Sequence, residues 1–107
     1  MWVRLGTFRV KAGQAEALRI AYNTRAVPKV RSVAGNLGCL LLEPSTAEDG
    51  DFIACTLWAS RSDAEAYESS GAAQEVVAMV RQYFSGPPSL KAYLSESLAG
   101  LPTQPAE

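Results

Sequence analysis

The sequence predicts an α+β domain with the element order β-α-β-β-α-β, in which a four-stranded antiparallel sheet carries helices on one face. Three observations lead to this prediction. The chain has 107 residues, which is the size of one domain. Hydrophobic residues make up 48% and charged residues 20%, as in globular proteins. Strand-like and helix-like segments follow one another in the order of the split β-α-β, or ferredoxin-like, pattern.

The first half of the chain is predicted to form a strand and a long helix. Residues 2–10 are rich in β-branched and aromatic types, which favour a strand. Residues 14–33 carry apolar side chains at steps of three and four, which predicts a helix. Because Pro28 cannot donate a hydrogen bond to the carbonyl of Thr24, we expect a kink or break near residues 25–28.

The second half supplies three strands and a helical region in two pieces. The strands are predicted over residues 39–43, 51–59 and 89–95. Ser62 and Glu65 match a capping box, which predicts that a short helix begins there. Gly71 breaks that helix, and an apolar stripe over residues 72–84 predicts a second one.

Composition excludes several classes of partner. Ten Lys and Arg residues stand against eleven Asp and Glu residues, so no basic excess exists to bind nucleic acid. The chain has no histidine and no Cys-x-x-Cys, which argues against a metal site. We find neither a signal peptide nor an apolar run near the roughly 20 residues needed to cross a bilayer. A cytoplasmic protein with no membrane partner is therefore expected.

Two cysteines lie on neighbouring predicted strands. A hairpin centred near residue 47 would place Cys39 and Cys55 roughly opposite each other. Two interpretations follow: small buried side chains, or a redox pair. A reducing compartment and cross-strand geometry favour free thiols.

Both faces of the predicted sheet are largely apolar. The third strand presents Phe52 and Trp58 on one side and Ile53 and Leu57 on the other. The predicted helices cover only one face, and leaving four such side chains in water would cost on the order of 6–12 kcal/mol. That cost is comparable to the whole stability of a small domain. We therefore expect a homodimer that packs sheet face on sheet face.

The sequence around the third strand resembles a known family. Residues 56–62 followed by 64–71 resemble the strand-Trp-helix signature of the antibiotic biosynthesis monooxygenase (ABM) domains, and residues 8–13 and 38–43 resemble the same family. The resemblance implies a dimeric α/β barrel with one small-molecule pocket per subunit between sheet and helices. We expect the ABM-like domain to span residues 1–98, followed by a flexible tail over residues 99–107.

The resemblance also implies a function. Members of this family oxygenate phenolic compounds, oxidise quinols or degrade haem. We expect a cofactor-independent monooxygenase acting on a small aromatic, phenolic or quinol-like substrate, in which the deprotonated substrate itself reduces dioxygen and no cofactor is bound. The alternative is a non-catalytic dimeric protein of the same fold that binds a small hydrophobic or aromatic molecule.

The chain departs from the polar residues of characterised members. Haem degraders of the family use an Asn on the first strand, a Trp at the end of the third strand and a His on the following helical region. Trp58 matches the Trp, but Gly6 stands at the Asn position and Ser69 or Ser70 near the His position, which argues against haem cleavage. Oxygenase members have an Asn where this chain has Ala54. We therefore assign no catalytic residue.

Five residues are candidates for the substrate pocket: Trp58, Tyr22, Tyr67, Arg4 and Thr56. Trp58 shares a strand face with Thr56 and is either a pocket residue or a large core residue. Tyr22 and Tyr67 either donate to a phenolic oxygen or belong to the core or its rim. Arg4 either holds an anionic substrate or pairs with an acid at the sheet rim.

Charge is unevenly distributed along the chain. Residues 1–42 contain seven basic residues and one acidic residue. This asymmetry fits either a mixed solvated surface or a pocket for an anionic or phenolate-like ligand.

Overall fold

The computed structural model describes residues 1–45 and 50–100. The strands are β1 (Trp2–Phe8), β2 (Asn36–Leu42), β3 (Phe52–Trp58) and β4 (Ser89–Leu94). The helices are α1 (Ala15–Ala21), α2 (Val27–Arg31), α3 (Arg61–Ser69) and α4 (Ala72–Val80), with a π-helical turn (Tyr22–Ala26) between α1 and α2 and a 3₁₀ turn (Arg81–Tyr83) after α4. The strands form one antiparallel sheet in the order β2-β3-β1-β4. The predicted ferredoxin-like α+β fold is confirmed.

The register of the two central strands decides which side chains face the helices. Trp2 lies opposite Trp58 and Phe8 lies opposite Phe52. Side chains alternate across a strand, so every second pair shares this face. We call these paired residues the inner row: Trp2, Arg4, Gly6 and Phe8 on β1, and Phe52, Ala54, Thr56 and Trp58 on β3.

The register of β2 corrects the expectation for the cysteines. Cys39 lies opposite Thr56, and Leu40 lies opposite Cys55. The pairing is shifted by one residue from the expected hairpin centre, and a one-residue shift moves a side chain to the other face. Cys39 therefore faces the helices, Cys55 faces away from them, and both are free. Part of the predicted hairpin connection, residues 46–49, lies outside the described residues.

The first helical region stays helical from α1 to α2, but its hydrogen-bond pattern changes near the expected kink or break. Four side chains of its predicted apolar stripe are buried, namely Leu18, Tyr22, Ala26 and Val30, and the fifth, Val33, is only partly buried. In the π-helical turn, the N–H of Val27 donates to the carbonyl of Tyr22, five residues earlier. Pro28 then lies in the first turn of α2, where a missing N–H costs little. The kink or break expected near residues 25–28 thus takes the form of a π-helical turn over Tyr22–Ala26, after which a regular α-helix resumes with Pro28 in its first turn.

The start of α3 differs from the predicted capping box. The side chain of Ser60 accepts a hydrogen bond from the N–H of Asp63 at 3.2 Å, so Ser60 is the N-cap. Ser62 lies inside the first turn, and Glu65 forms an ion pair with Arg61 instead. The same serine-to-acid spacing occurs two residues earlier, in Ser60 and Asp63, and this pair caps the helix. The boundary between α3 and α4 is as predicted.

Strand β2 begins three residues before the predicted start. Asn36 already pairs with Trp58, and a β-bulge separates that pair from the pair of Gly38 with Leu57. Gly35 precedes the strand at a φ of +82°, and its carbonyl accepts from the N–H of Ala59 at 2.9 Å. A side chain at Gly35 would collide with Asp63. This turn ties the start of β2 to the end of β3.

Two buried clusters fill the space between sheet and helices. One contains Phe8, Leu18, Ala21, Phe52, Val80 and Phe84. The other contains Val30, Trp58, Ala64, Tyr67 and Ala73. On the opposite side of the sheet, large apolar side chains such as Leu40, Leu42 and Tyr93 stay exposed in the single chain. Within the described residues, no helix has the length and apolar character needed to cross a membrane.

Candidate functional site

A cavity of about 60 Å³ lies where the two buried clusters meet. Its walls include Phe8, Val80 and Phe84 from one cluster and Val30, Tyr67 and Ala73 from the other. Gly6 and Ala54 lie opposite each other in the sheet and also line the cavity. Because these two residues carry at most a methyl group, the sheet leaves a hollow between its aromatic ends.

The hydroxyl of Tyr22 is the most unusual polar group in this cavity. The π-helical turn begins at Tyr22, whose side chain is only 4% exposed. Its hydroxyl oxygen is fully buried and makes no hydrogen bond of good geometry among the described residues; the Cys39 thiol interacts with it weakly and contributes to its raised pKa. Burial raises the pKa of the Tyr22 phenol well above its ordinary value, so the group stays protonated. An unpartnered buried donor is costly, which makes Tyr22 a candidate ligand contact.

Thr56, Trp58 and Tyr67 form a second wall. The indole Nε1 of Trp58 donates to the hydroxyl of Thr56 at 2.8 Å, and this bond is buried. The Trp58 ring also packs on the Tyr67 ring, with centroids 4.7 Å apart. Thr56 and Tyr67 line the cavity, whereas Trp58 is fully buried behind them. Trp58 is therefore placed to fix the positions of the two side chains that line the cavity.

Arg4 lies at the rim of the cavity. Its Nη2 contacts Oε1 of Glu68 at 3.2 Å. In this structure, Arg4 therefore pairs with an acid at the rim, which is one of the two interpretations of this residue. Its guanidinium carbon also lies 5.4 Å from the centre of the Tyr67 ring, within the range of a cation–π contact. Burial raises the pKa of the Tyr67 phenol, while the charge of Arg4 acts in the opposite direction. Arg4 thus lines the cavity beside Tyr67 and also forms an ion pair with the half-exposed Glu68 at the surface.

The chemistry of the cavity is that of an apolar space with hydrogen-bond donors. Among its lining residues, Arg4 carries the only formal charge, and no carboxylate or imidazole is present. The described part of the chain contains no group of three or more metal-ligating side chains. Such a space suits an aromatic body with oxygen acceptors, and it offers no side chain with the properties of a general base.

The structure brings four of the five predicted pocket residues to one cavity: Tyr22, Tyr67, Arg4 and Thr56. Trp58 supports this cavity from behind. Sequence reasoning did not find Glu68, the partner of Arg4. Glu68 directly follows Tyr67, but pairing between a strand and a helix 64 residues apart leaves no local pattern in the sequence.

The family assignment comes from a sequence model of a domain. The model described as antibiotic biosynthesis monooxygenase matches residues 1–79, which is most of the chain. The chain belongs to the ABM family. The match includes all five predicted pocket residues and ends inside α4, so β4 lies outside it. The resemblance noted in the sequence is confirmed.

Solved structures share the ABM fold of this chain. The haem-degrading protein MhuD from Mycobacterium tuberculosis, solved with two haems in its active site, is 26% identical over 90% of this chain and 96% of that chain, with a TM-score of 0.72. A protein from Bordetella bronchiseptica, described as an antibiotic biosynthesis monooxygenase, is 17% identical over 88% and 95%, with a TM-score of 0.75. A protein of the same description from Nitrosomonas europaea is 20% identical over 90% and 99%, with a TM-score of 0.70.

No curated protein matches this ABM chain. Its family and fold are therefore established, whereas its reaction has to be inferred from its own cavity.

Proposed function

We propose that this ABM protein is a cofactor-independent monooxygenase that acts on a small aromatic, phenolic or quinol-like substrate. The observation that carries the proposal is the buried Tyr22 hydroxyl, which lacks a well-formed hydrogen bond among the described residues and belongs to a side chain that lines an apolar cavity. A phenolic or enolic oxygen of the substrate would accept the hydrogen bond that the protein leaves unmade. The apolar walls would hold the ring and exclude water.

The reaction needs a substrate that gives up a proton readily. After the proton leaves to solvent, the substrate anion donates electrons to dioxygen. For an activated CH₂ group, one dioxygen is consumed, the carbon becomes a carbonyl, and the second oxygen atom leaves as water with the two hydrogens. Because burial raises its pKa, Tyr22 remains a neutral donor and stabilises the oxyanion of the substrate.

Oxygen uptake tests this proposal directly. We expect the protein to accelerate dioxygen consumption with at least one member of a panel of anthrones, quinols and flavonols. Replacing Tyr22 by Phe should lower the turnover number at least about tenfold, because an oxyanion donor is lost. Tyr93→Phe is the matched control, since Tyr93 lies outside the cavity. No uptake across the panel would contradict the proposal.

One observation favours a second candidate function, a non-catalytic protein that binds a small hydrophobic or aromatic molecule. The described residues that line the cavity include no carboxylate or imidazole, and the family resemblance implies polar residues at the positions of Gly6 and Ala54. A protein that binds members of the same panel without consuming dioxygen would establish this alternative.

Haem degradation, the activity of MhuD, is not proposed for this chain. The chain has no histidine to ligate iron. We expect titration with haemin to give no saturable change in the Soret band. A saturable change at one haem per subunit would contradict this expectation.

We propose that the protein works as a homodimer through the sheet face away from the helices. This outer face carries Leu40, Leu42 and Tyr93, which are exposed in the single chain, and a second copy would cover them. Sedimentation at micromolar concentration should give the mass of two chains. A folded monomer at that concentration would contradict the dimer and the dimeric α/β barrel with it.

Two smaller expectations complete the proposal. We propose that residues 1–98 form the folded domain, so a chain that ends at residue 98 should unfold at the same urea concentration as the full chain; a lower midpoint would contradict this boundary. Residues 101–107 of the expected tail lie outside the described residues. We also propose a cytoplasmic location, which two free cysteines fit.

A further inference from the structure

The rim of the cavity is closed by a single ion pair between β1 and α3. The Arg4 side chain lines the cavity and also lines an exposed groove beside α3, and Leu90 of β4 lines both spaces as well. Its partner Glu68 lines only the groove. The Arg4 side chain is 15% exposed and the Glu68 side chain is 50% exposed. The Arg4 side chain is therefore largely shielded from water, while its counter-charge on Glu68 is half exposed.

The interior polar groups are donors rather than acceptors. The Tyr22 hydroxyl has no partner among the described residues. The Thr56 hydroxyl accepts from Trp58, which leaves its own proton for another acceptor. No lining residue carries a negative charge. The cavity is thus lined by one cationic side chain and by three side chains with hydroxyl groups, those of Tyr22, Thr56 and Tyr67, set in apolar walls.

We propose that the cavity binds an aromatic carboxylate that also carries a phenolic or enolic oxygen, and that its carboxylate replaces Glu68 as the partner of Arg4. This inference rests on the proposed function and names the substrate class for it. The ring occupies the apolar interior, where Tyr22 donates to the phenolic oxygen. The carboxylate stays at the rim, where the guanidinium of Arg4 offers a planar pair of donors.

The exchange of partners is favourable because the two ion pairs have different surroundings. An ion pair with a half-exposed acid such as Glu68 is screened by water and contributes little. A ligand carboxylate approaches Arg4 from the less exposed cavity side, where a charge-assisted hydrogen bond is stronger. Displacing Glu68 leaves its carboxylate in solvent, so no charge is buried without a partner.

Matched probes test the proposal: 4-hydroxybenzoate and 4-hydroxybenzyl alcohol, which share the ring and the phenol and differ in charge. Calorimetric titration of the wild-type protein should show binding of the carboxylate at least about tenfold tighter than binding of the alcohol, as expected for a hydrogen bond to a charged group. Arg4→Gln should abolish that preference, and Arg4→Lys should keep part of it. Arg9→Gln is the control, because it removes an arginine of an exposed ion pair outside the cavity.

Glu68→Gln gives a second test that loss of folding cannot imitate. Removing the competing carboxylate should tighten binding of 4-hydroxybenzoate several-fold and leave the alcohol unchanged. Glu65→Gln is the matched control, since Glu65 lies on the same helix and pairs with Arg61 instead of Arg4. The proposal is overturned if the wild type binds neither probe, if it does not prefer the carboxylate, if Arg4→Gln retains the preference, or if Glu68→Gln weakens or does not change carboxylate binding.

The outcome is independent of catalysis. A carboxylate preference in a protein that consumes no dioxygen would remove the oxygenase proposal and leave this one standing. Dioxygen consumption without a carboxylate preference would do the reverse.

Discussion

The two faces of the sheet differ in how evenly their side chains fill space. On the inner row, aromatic residues stand at both ends of β1 and β3, and Gly6 lies opposite Ala54 between them. On the outer face, larger apolar side chains stand at the middle positions of the same strands, among them Leu5, Ile53 and Leu57. Strand alternation thus lets one stretch of sequence form a hollow on one face and a largely apolar surface on the other. The first arrangement suits a ligand, and the second suits a partner chain.

The largest expected effect lies at the aromatic end of the inner row. Trp58→Ala should lower the free energy of unfolding by about 3–5 kcal/mol, because a fully buried ring is removed and the Thr56 hydroxyl loses its donor. Urea unfolding at a fixed protein concentration measures this loss. Trp2→Ala is the matched control: Trp2 lies opposite Trp58 but is only partly buried, so it should cost less. A loss below about 1 kcal/mol for Trp58→Ala would show that the inner row does not depend on this end.

The next effect is expected on the outer face. Leu40→Glu should convert the proposed dimer to monomers at micromolar concentration, because it places a charge on both copies of an apolar interface. The fold should survive, since Leu40 is 55% exposed in the single chain. Ile20→Glu is the control, because Ile20 is equally exposed but lies on α1. If Leu40→Glu sediments like the wild type, the outer face is not the interface.

The contrast between the faces was readable from the sequence, because period-two alternation is a local property. The strands and the division of β3 into two faces followed from it, whereas which of those faces meets the helices did not. Three features could not be predicted from local patterns. Two serine-to-acid patterns overlap near Ser60 and Ser62, and only packing selects the first. The register of Cys39 depends on the hairpin turn. The π-helical turn over Tyr22–Ala26 precedes Pro28, and no sequence motif distinguishes such a turn from a kink or a break.

The residue types of the candidate site were predictable from the sequence, but the contacts among these residues were not. Tyr22, Thr56 and Tyr67 stand out as polar groups on apolar faces, and the structure places all three around one cavity. The ion pair between Arg4 and Glu68 joins a strand to a helix distant in sequence, so only the three-dimensional fold reveals it. The missing partner of Tyr22 is likewise a property of packing.

A smaller effect distinguishes the cavity from the core that surrounds it. Tyr22→Phe should raise the free energy of unfolding by about 1 kcal/mol at pH 7, because it removes a buried hydroxyl without a partner. Tyr93→Phe, on the outer face, should change it little. Urea unfolding of both variants measures the difference. A clear destabilisation by Tyr22→Phe would mean that the hydroxyl already has a partner and is not waiting for a ligand.

The same substitution has a pH signature. Burial raises the pKa of Tyr22 in the folded state, whereas phenols of the unfolded chain titrate near about pH 10. Above that pH the unfolded state binds fewer protons, so the stability present below about pH 10 falls as the pH rises. Tyr22→Phe should make this fall shallower without removing it, because burial also raises the pKa of Tyr67. An unchanged alkaline slope would place Tyr22 in contact with water.

The smallest effect on stability is expected at two glycines, one on each face of the sheet. Ligand affinity should nevertheless respond to only one of the two substitutions, so the pair distinguishes the two faces. A Cβ added at Gly6 would lie 3.4 Å from Cδ2 of Leu90, the end of a flexible and half-exposed side chain. Gly6→Ala should therefore change the free energy of unfolding by less than about 1 kcal/mol. Its methyl group would nevertheless take up part of a cavity of about 60 Å³, so binding of a single-ring ligand should weaken several-fold.

Gly38→Ala is the counterpart on the outer face. A Cβ there meets Cδ1 of Leu57 at 3.8 Å, an ordinary contact, and Gly38 does not line the cavity. It should leave ligand affinity unchanged, as measured by the same calorimetric titration. Equal affinities for Gly6→Ala and Gly38→Ala would mean that the hollow between the aromatic ends of the inner row is not where the ligand binds. The ligand would then have to be sought on the surface, beginning with the groove beside α3.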